Sequence, residues 1–438
     1  MHTRSQTHTS RQLPMLFFIA WRNIWRNPIR SVLTISALAS GLIMVVFYSA
    51  MMEGMLRQMV YQATAISTGH IQIHRQAYID DQDMYATFPW PWLDAIERDV
   101  PGINVAPRLY ASGLASTTES STGVMLKAVD PKREPTVTKM LTQVRSGTLN
   151  LGLASDSAEG LPRFYVVVGA QLAKNMHLIP GSELILVTQA ADGSVGNGLF
   201  VVSAILKPLS PNFDRMGVLM SILAYQQLMV LDGGFHELAI HVEDAEHMQA
   251  AEALLVHNID KRNQAQPLDD LGGKAVLRNW RTLSPMISDM LEMSKTINFI
   301  VGFIVICLAS MGMLNTMLMA VHERSHEFGI LIAIGMKRRW LLLMVMLESL
   351  LLALVSALVG VIIGISGISA FGERGIDLSG TMPDGYDWGG LVFEPYMQLY
   401  IDPINILSAC VLMVVITLLA AVIPAWRTVR LDPAEVMR

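Results

Sequence analysis

Only two of the 438 residues are cysteines, Cys307 and Cys410, and both lie in apolar runs. Any large domain outside the membrane must therefore be held by a packed core, without disulfides. A thiol in lipid has its thiolate disfavoured, so neither cysteine is a candidate nucleophile. Charge is scarce as well: Lys, Arg, Asp and Glu make up 16% of the chain, and the formal net charge is -5. With a pI near 6.1 there is no basic field for a nucleic-acid partner. A P-loop is also missing. The nearest run to GxxxxGK[ST], Gly272-Gly273-Lys274, lacks the upstream glycine and is followed by Ala275. The chain therefore cannot cradle a nucleotide phosphate with a P-loop. Metal-ligand spacing is absent too: His70 and His74 on one strand face would stand about 13 Å apart. His236 and His241 have odd spacing and no nearby cysteine, which suits core or surface histidines. No catalytic residue, metal or bound cofactor is expected in this chain.

What is abundant is apolar sequence. Hydrophobic residues make up 52% of the chain, and the mean hydropathy is +0.41, too apolar for an ordinary soluble protein yet too charged to lie wholly in lipid. Residues 1–30 read as a cytoplasmic N-terminus, polar and disordered to residue 14. An interfacial helix follows, mixing Trp21 and Trp25 with Arg22, Arg26 and Arg30. Residues 31–52 are free of charge and form a first span, read as an uncleaved anchor. Further spans are expected at residues 297–320, 340–370 and 404–424. Lys and Arg gather at residues 22–30, 324–339 and 427–438, including Arg427, Arg430 and Arg438. That bias places both termini in the cytoplasm. The loop 371–403 is acidic, with Glu373, Asp377, Asp384, Asp387, Glu394 and Asp402 against Arg374, and lies outside.

Residues 53–296 contain no spanning window and make one large water-exposed region of α+β type, with two subdomains expected. Alternating runs predict strands at 70–74, 105–116, 123–129, 164–168, 183–189, 199–206 and 237–242. Helical patterns fall at 91–99, 170–178, 224–231 and 245–258. Turns are marked by Pro180-Gly181, Asp192-Gly193 and Asp232-Gly233. Residues 116–121 and 150–160 read as exposed loops, and 190–198 as an exposed hairpin tip.

The stretch around residues 321–339 organises the membrane part. It carries Glu323, Arg324, Glu327, Lys337, Arg338 and Arg339 around the apolar run from Phe328 to Met336. Gly329 and Gly335 would let a short helix lie against a partner surface and turn back into the membrane. Two readings fit: a docking segment, or a solvated loop whose charges only fix topology. Asn315 and Glu348 are polar residues inside flanking spans. Glu348 lies roughly 12 Å beyond Arg339 by helical rise, either a functional carboxylate or one paired at a basic helix end. The 29 methionines suit either adaptable surfaces or ordinary apolar filling.

The junction resembles the MacB/FtsX superfamily of ABC transporter permeases. The matching elements are Asn315-Thr316, Glu323-Arg324, Glu327-Phe328-Gly329, Ile334-Gly335 and Arg338-Arg339, with Glu348 in the third span. The front, AWRNIWRNPIRSVLT, and the tail, IPAWRTVRLDPAEVMR, match as well. In length and layout the chain is most similar to LolC/LolE permeases, whose outer-domain core resembles FYVVVGAQLAKNMHLIPGSELILV. The resemblance implies an inner-membrane, four-span permease with a large α+β periplasmic domain between the first two spans. It also implies a separate ATPase, holding ATP and Mg, that docks on Glu323, Arg324, Glu327, Phe328, Gly329, Gly335, Lys337, Arg338 and Arg339 of a coupling helix. A second permease chain, identical or related, is implied, as are membrane lipid and a periplasmic chaperone or adaptor as partners. Extraction of lipoproteins or lipids is the expected activity. Efflux with an adaptor and regulation of a cell-wall hydrolase are the alternatives. In LolC-like permeases a projecting hairpin engages a periplasmic chaperone; here the 190–198 tip has no proline and little apolar surface, so a plain flexible turn is expected.

Overall fold

The computed structural model describes residues 6–156, 162–231, 233–243, 248–265, 272–371, 375–382, 386–388, 391–393 and 396–429. Expectations placed on Asp232, Glu373, Arg374, Asp384, Glu394, Arg430 and Arg438, and on residues 157–160, lie outside these.

Helices α1 (Gln6–Arg26) and α2 (Pro28–Tyr61) open the chain, and a π-helical segment, Gln62–Thr68, follows. Next come β1 (Ile71–Arg75), α3 (Gln76–Asp81), α4 (Pro91–Asp99), β2 (Ile103–Ser116), β3 (Ser121–Val129) and α5 (Glu134–Val137). The chain continues through β4 (Val144–Gly147), β5 (Leu153–Asp156), β6 (Pro162–Val168), α6 (Ala170–Asn175), β7 (Glu183–Gln189) and β8 (Val195–Leu206). Then follow α7 (Pro211–Met216), β9 (Gly217–Ser221), α8 (Ile222–Met229), β10 (Glu237–Val242), α9 (Met248–Ala265), β11 (Ala275–Asn279) and α10 (Trp280–Leu283). Helices α11 (Pro285–Glu323), α12 (Ser325–Ala333), α13 (Arg338–Phe371) and α14 (Pro403–Val429) end it. Two compact units result: Met1–Leu56 with Leu291–Leu378 and Tyr396–Arg438, and Arg57–Met290 with Ser379–Pro395.

In the first unit, α2, α11, α13 and α14 are long and apolar enough to cross a membrane. Outward-facing Phe303, Leu308, Leu358 and Leu407 are what helices solvated by lipid require. Helix α13 is the central one. Its buried stripe repeats every fourth residue, through Met344, Glu348, Leu352, Ser356, Gly360 and Gly364. The small residues of that stripe face α2. A Cβ on Gly360 would stand 3.0 Å from Leu42 Cδ2 and 3.2 Å from the Ala39 carbonyl, and one on Gly364 would stand 3.3 Å from Val46 Cγ1. Lipid offers no hydrophobic drive for helix pairing, so close backbone approach through small residues supplies the dispersion energy instead. Helix α1 packs on α13 through Leu16, Ala20 and Ile24, leaving Phe17, Phe18, Trp21 and Trp25 outward. It starts at Gln6, so the disorder expected to residue 14 is corrected.

The second unit holds one eleven-stranded sheet: nine strands run in the order β11-β1-β10-β2-β3-β9-β6-β8-β4, and β5, paired to β6, and β7 lie off that path. Strand β7 pairs with both β2 and β8, so β2, β3, β9, β6, β8 and β7 close into a barrel-like circuit. Alternate residues fill its inside: Val124, Leu126 and Ala128, then Phe164, Val166 and Val168, Leu184 and Leu186, and Phe200 and Val202. Strands β10, β1 and β11 extend from the first half of β2. Where two subdomains were expected, hydrogen bonding thus runs unbroken through β2. A second cluster, with Val167, Leu206 and Leu219, packs Ile66 of the π-helical segment against the other face. The strands flanking the chain's exits are neighbours: β1 follows the π-helical segment, β11 precedes α10, and Ile71 pairs with Asn279.

Several local expectations shift. Strand β9 pairs parallel to β3 and is buried on both faces, so it has no alternation to detect. Strand β5 falls inside the expected loop 150–160, and Phe393, from the acidic loop, is buried in the second unit. The hairpin tip is only residues 190–194, because Val195–Gly198 already pair with β7.

Gly360→Leu forces four carbons into the α2–α13 contact and should cost about 2 kcal/mol. Gly367→Leu, at a position where an added Cβ would meet nothing within 4 Å, should be neutral. Thermal melts of the detergent-solubilised chain check this, and equal melting of the two variants would contradict the contact.

Candidate functional site

Three arginine–glutamate pairs draw α12 against the elbow between α1 and α2 and against α13. At the surface, Arg26 donates to both carboxylate oxygens of Glu327, at 2.6 and 3.1 Å, and Arg30 donates to both oxygens of Glu323 at 2.7 Å. The hydrogen bonds and charge of Arg26 hold the Glu327 carboxyl below its ordinary range. Deeper in, Arg324 reaches the Glu348 carboxylate at 3.4 Å and the Asn23 carbonyl at 3.3 Å. Arg324 is 8% exposed and Glu348 9%. Glu348 is therefore paired, but with Arg324 and not with the basic residues opening its own helix.

Of the residues proposed for docking, Arg324, Phe328 and Gly329 face inward. Phe328 lies in the core shared with α2 and α13, as an amphipathic helix lying flat on a bundle requires. Exposed positions are Glu323, Gly335, Lys337, Arg338 and Arg339, together with Ile330 and Ile334. Gly335 has φ +101°, and its N–H donates to Ile332 while that of Met336 donates to Leu331. That is the hydrogen-bond pattern of a left-handed helix stop, which turns the chain into α13 at a backbone angle that favours glycine. Asn315 is exposed on α11. Sequence reasoning assigns the arginine partners Arg26 and Arg30 to topology alone; they close α1 and open α2 on either side of a bend at Asn27, and no sequence pattern pairs them with Glu327 and Glu323.

In the second unit, Arg108 at the middle of β2 is wholly buried. Its Nε and Nη2 donate to Glu134 at 3.0 and 2.6 Å, and Nη1 donates to Glu237 at 2.7 Å and to the Thr68 carbonyl at 3.3 Å. One side chain so joins α5, β10 and the end of the π-helical segment. Burial alone would raise Glu134, but the Arg108 charge and hydrogen bonds, helped by the Thr138 hydroxyl, hold it below its ordinary value. Burial, with the Arg108 charge, pushes the Lys127 ammonium down to about 8.

Histidines here serve structure. His236 Nδ1 accepts from the Tyr110 N–H at 3.0 Å, and Nε2 lies 2.8 Å from the Met84 carbonyl, so the ring must be a neutral Nε2–H tautomer. Burial pushes its pKa down to about 4. His70 stacks on His241 with centroids 4.4 Å apart. The hairpin tip is tied down: Tyr85 donates to the Ala191 carbonyl at 2.6 Å, and the Ala191 N–H donates to Met229 at 2.8 Å. Asp192 accepts from the Ser194 N–H and hydroxyl, closing the turn.

A family described as FtsX-like permease C-terminal matches residues 299–433. Another, MacB-like periplasmic core domain, matches residues 31–257, more than half of the chain. The chain is 21% identical over 419 residues to the macrolide export ATP-binding/permease protein MacB of Agrobacterium fabrum, covering 94% of this chain and 59% of that protein. It thus spans about three-fifths of that relative's length. Against the lipoprotein-releasing system transmembrane protein LolC of Xylella fastidiosa it is 22% identical over 326 residues, 72% of each chain. Among solved structures, the periplasmic region of MacB from Actinobacillus actinomycetemcomitans matches 51% of this chain and 94% of its own, at 12% identity and a TM-score of 0.35.

Two stability outcomes follow for the second unit. His236 binds its proton more weakly folded than unfolded, so stability is full above about pH 6.5 and falls as pH drops toward about 4. The share due to His236 is about 3 kcal/mol, and His236→Gln should make the fall shallower in urea titrations read by tryptophan fluorescence, while His70, pushed down to about 4 by burial, keeps the rest of it. Arg108→Met should cost about 3–5 kcal/mol at pH 7, because it strands two buried carboxylates. The same titrations at neutral pH check it; a loss under about 1 kcal/mol would contradict the tie.

Proposed function

Since the chain belongs to the MacB/FtsX superfamily of ABC transporter permeases, we propose that it works with a separate ATPase that docks on α12 and drives the outer unit. The cargo class we infer is lipoprotein or lipid extracted from the inner membrane, with both termini in the cytoplasm. The observation that carries the reading is the clamping of α12 by Arg26, Arg30 and Glu348 through its own Glu327, the preceding Glu323 and Arg324. A helix held at three charged points moves its neighbours when it is pushed, whereas a solvated loop absorbs the push.

Exposed ion pairs add little to stability, so the Arg26 and Arg30 bridges are better understood as geometry setters. The Arg26 bridge fixes which side of α12 faces outward and so exposes Ile330; Ile334 and the basic run Lys337–Arg339 follow it at the turn into α13, and together they make an apolar strip edged by cations that suits an ATPase cleft with acidic edges. Lipoprotein or lipid extraction is favoured over macrolide export by the match to a LolC protein, which covers equal shares of both chains. The tied-down hairpin tip at Ala191 favours a role other than gripping a chaperone through that tip. A second permease chain, identical or related, completes the complex.

Purification of the full chain with its co-purifying proteins, followed by reconstitution in proteoliposomes, tests the reading. The chain alone should hydrolyse no ATP; with the partner ATPase it should release lipoprotein. Glu327→Arg should lower coupled hydrolysis about tenfold, and adding Arg26→Glu should restore part of it by re-forming the bridge in reverse. Hydrolysis by the chain alone, or an unchanged rate in Glu327→Arg, would contradict the docking assignment.

A further inference from the structure

Lipid covers the outward leucines of the spans, but the second unit meets water, and there three exposed leucines gather at one hollow of about 570 Å³. Leu149 is 42% exposed, Leu153 56% and Leu223 62%. The course of the chain explains why the hollow exists. Strands β9 and β5 share the edge of β6 opposite β8: β9 pairs with Val167 and Val168, and β5 with residues 162–164. Between them β9 leaves the sheet at Ser221, which caps α8 by accepting from the Ala224 N–H at 3.2 Å. Gly152 bridges the backbone gap by accepting from the Tyr165 N–H at 3.0 Å. What stays open is lined by Phe164 and Leu151, both buried, and by the three leucines.

We propose that this hollow holds one acyl chain of a lipid-modified polypeptide. Among the described residues no charged side chain lines it, so a phosphate or a carboxylate brought there would lack a counter-charge. The polar side chains at the hollow are Asn150 and Ser221. Asn150 Oδ1 accepts from the Gly152 N–H at 2.8 Å, which leaves its two amide N–H groups to donate. Ser221 Oγ accepts from Ala224, which leaves its O–H to donate. Uncharged donors suit the carbonyl of an amide or ester, the acceptor that an acyl chain carries at its root.

Charge separates the sources of such a chain. An intact phospholipid brings a phosphate, and the lining supplies no cation for it; an N-acylated cysteine at the end of a polypeptide is neutral. An unacylated peptide strand would need backbone partners, yet the Asn150 and Gly152 carbonyls already accept from the Ser203 hydroxyl and the Tyr165 N–H. The volume falls within the roughly 300–1,000 Å³ of ligand pockets, and its apolar walls favour an apolar occupant. The inference rests on the cargo reading above for the source of the chain; the site itself is read from the hollow.

Photo-cross-linking of the full chain in phosphatidylcholine nanodiscs tests it. The probe is a synthetic lipopeptide with an N-palmitoylated, S-dipalmitoylglyceryl cysteine and a diazirine on the N-palmitoyl chain, and adducts are mapped by mass spectrometry of the digested chain. Adducts should appear within residues 149–153 or 221–223. Leu153→Asp and Leu223→Asp should each lower them about tenfold, since covering one half-exposed leucine is worth about that factor. Both side chains are exposed, so the variants keep the fold, which melting curves confirm. An excess of phosphatidylglycerol or of the unacylated peptide should not compete. Adducts confined to the spans, adducts undiminished in both variants, or displacement by phosphatidylglycerol or by the unacylated peptide would each overturn the proposal. Failure of the cargo reading looks different: the hollow is labelled as expected, while the partner ATPase releases no lipoprotein.

Discussion

Arg324 occupies a place where a charge is costly unless paired, between the end of α11 and the buried stripe of α13. In a low-dielectric setting its guanidinium must keep Glu348 and the Asn23 carbonyl within reach. That requirement fixes the start of α12 against both α1 and α13. Arg26, at the end of α1, then sets the rotation of α12 about its axis, because only one face brings Glu327 to it, while Arg30 ties the end of α11 through Glu323. Phe328 turns inward as a consequence and the basic run outward. The surface offered to a partner is thus set by what is satisfied inside.

The same logic governs the root of the outer unit. Arg108 cannot be buried without Glu134 and Glu237, and those carboxylates belong to α5 and β10. The segment after α2 is drawn into the network by its Thr68 carbonyl. A π-helical end carries carbonyls out of regular register, and Gln72 and Arg108 are the donors that satisfy this one. The first strand of the sheet, and β11 paired to it, are thereby held to a point whose geometry is charge-determined. Removing one member of such a network leaves a buried charge without its partner, so the three elements are bound to one another through Arg108.

Much of the architecture was legible because its periods are long or strict. Charge-free runs of span length announced four helices, and alternating apolar residues announced β7, β8 and the second half of β2. Strand β9 escaped because both its faces are buried, and β5 because it is short and irregularly paired. The charged junction was legible as a site, but its inner and outer faces were not. The partner of Glu327 lies 301 residues away in sequence, and the sequence contains nothing that assigns Arg26 to one glutamate over another. Burial of Arg324 was equally hidden, since its neighbours in sequence are polar.

Glu323 and Arg30 divide the work of the clamp with Arg26 and Glu327. One pair ties the end of α11 to the start of α2, and the other ties α12 to the end of α1. Both reach solvent, so their attraction is screened and each adds little to stability. The Arg324–Glu348 pair differs, because both partners are buried and removing either one leaves a charge that water does not reach. A junction built in this way takes its position from the inner pair and its orientation from the outer ones.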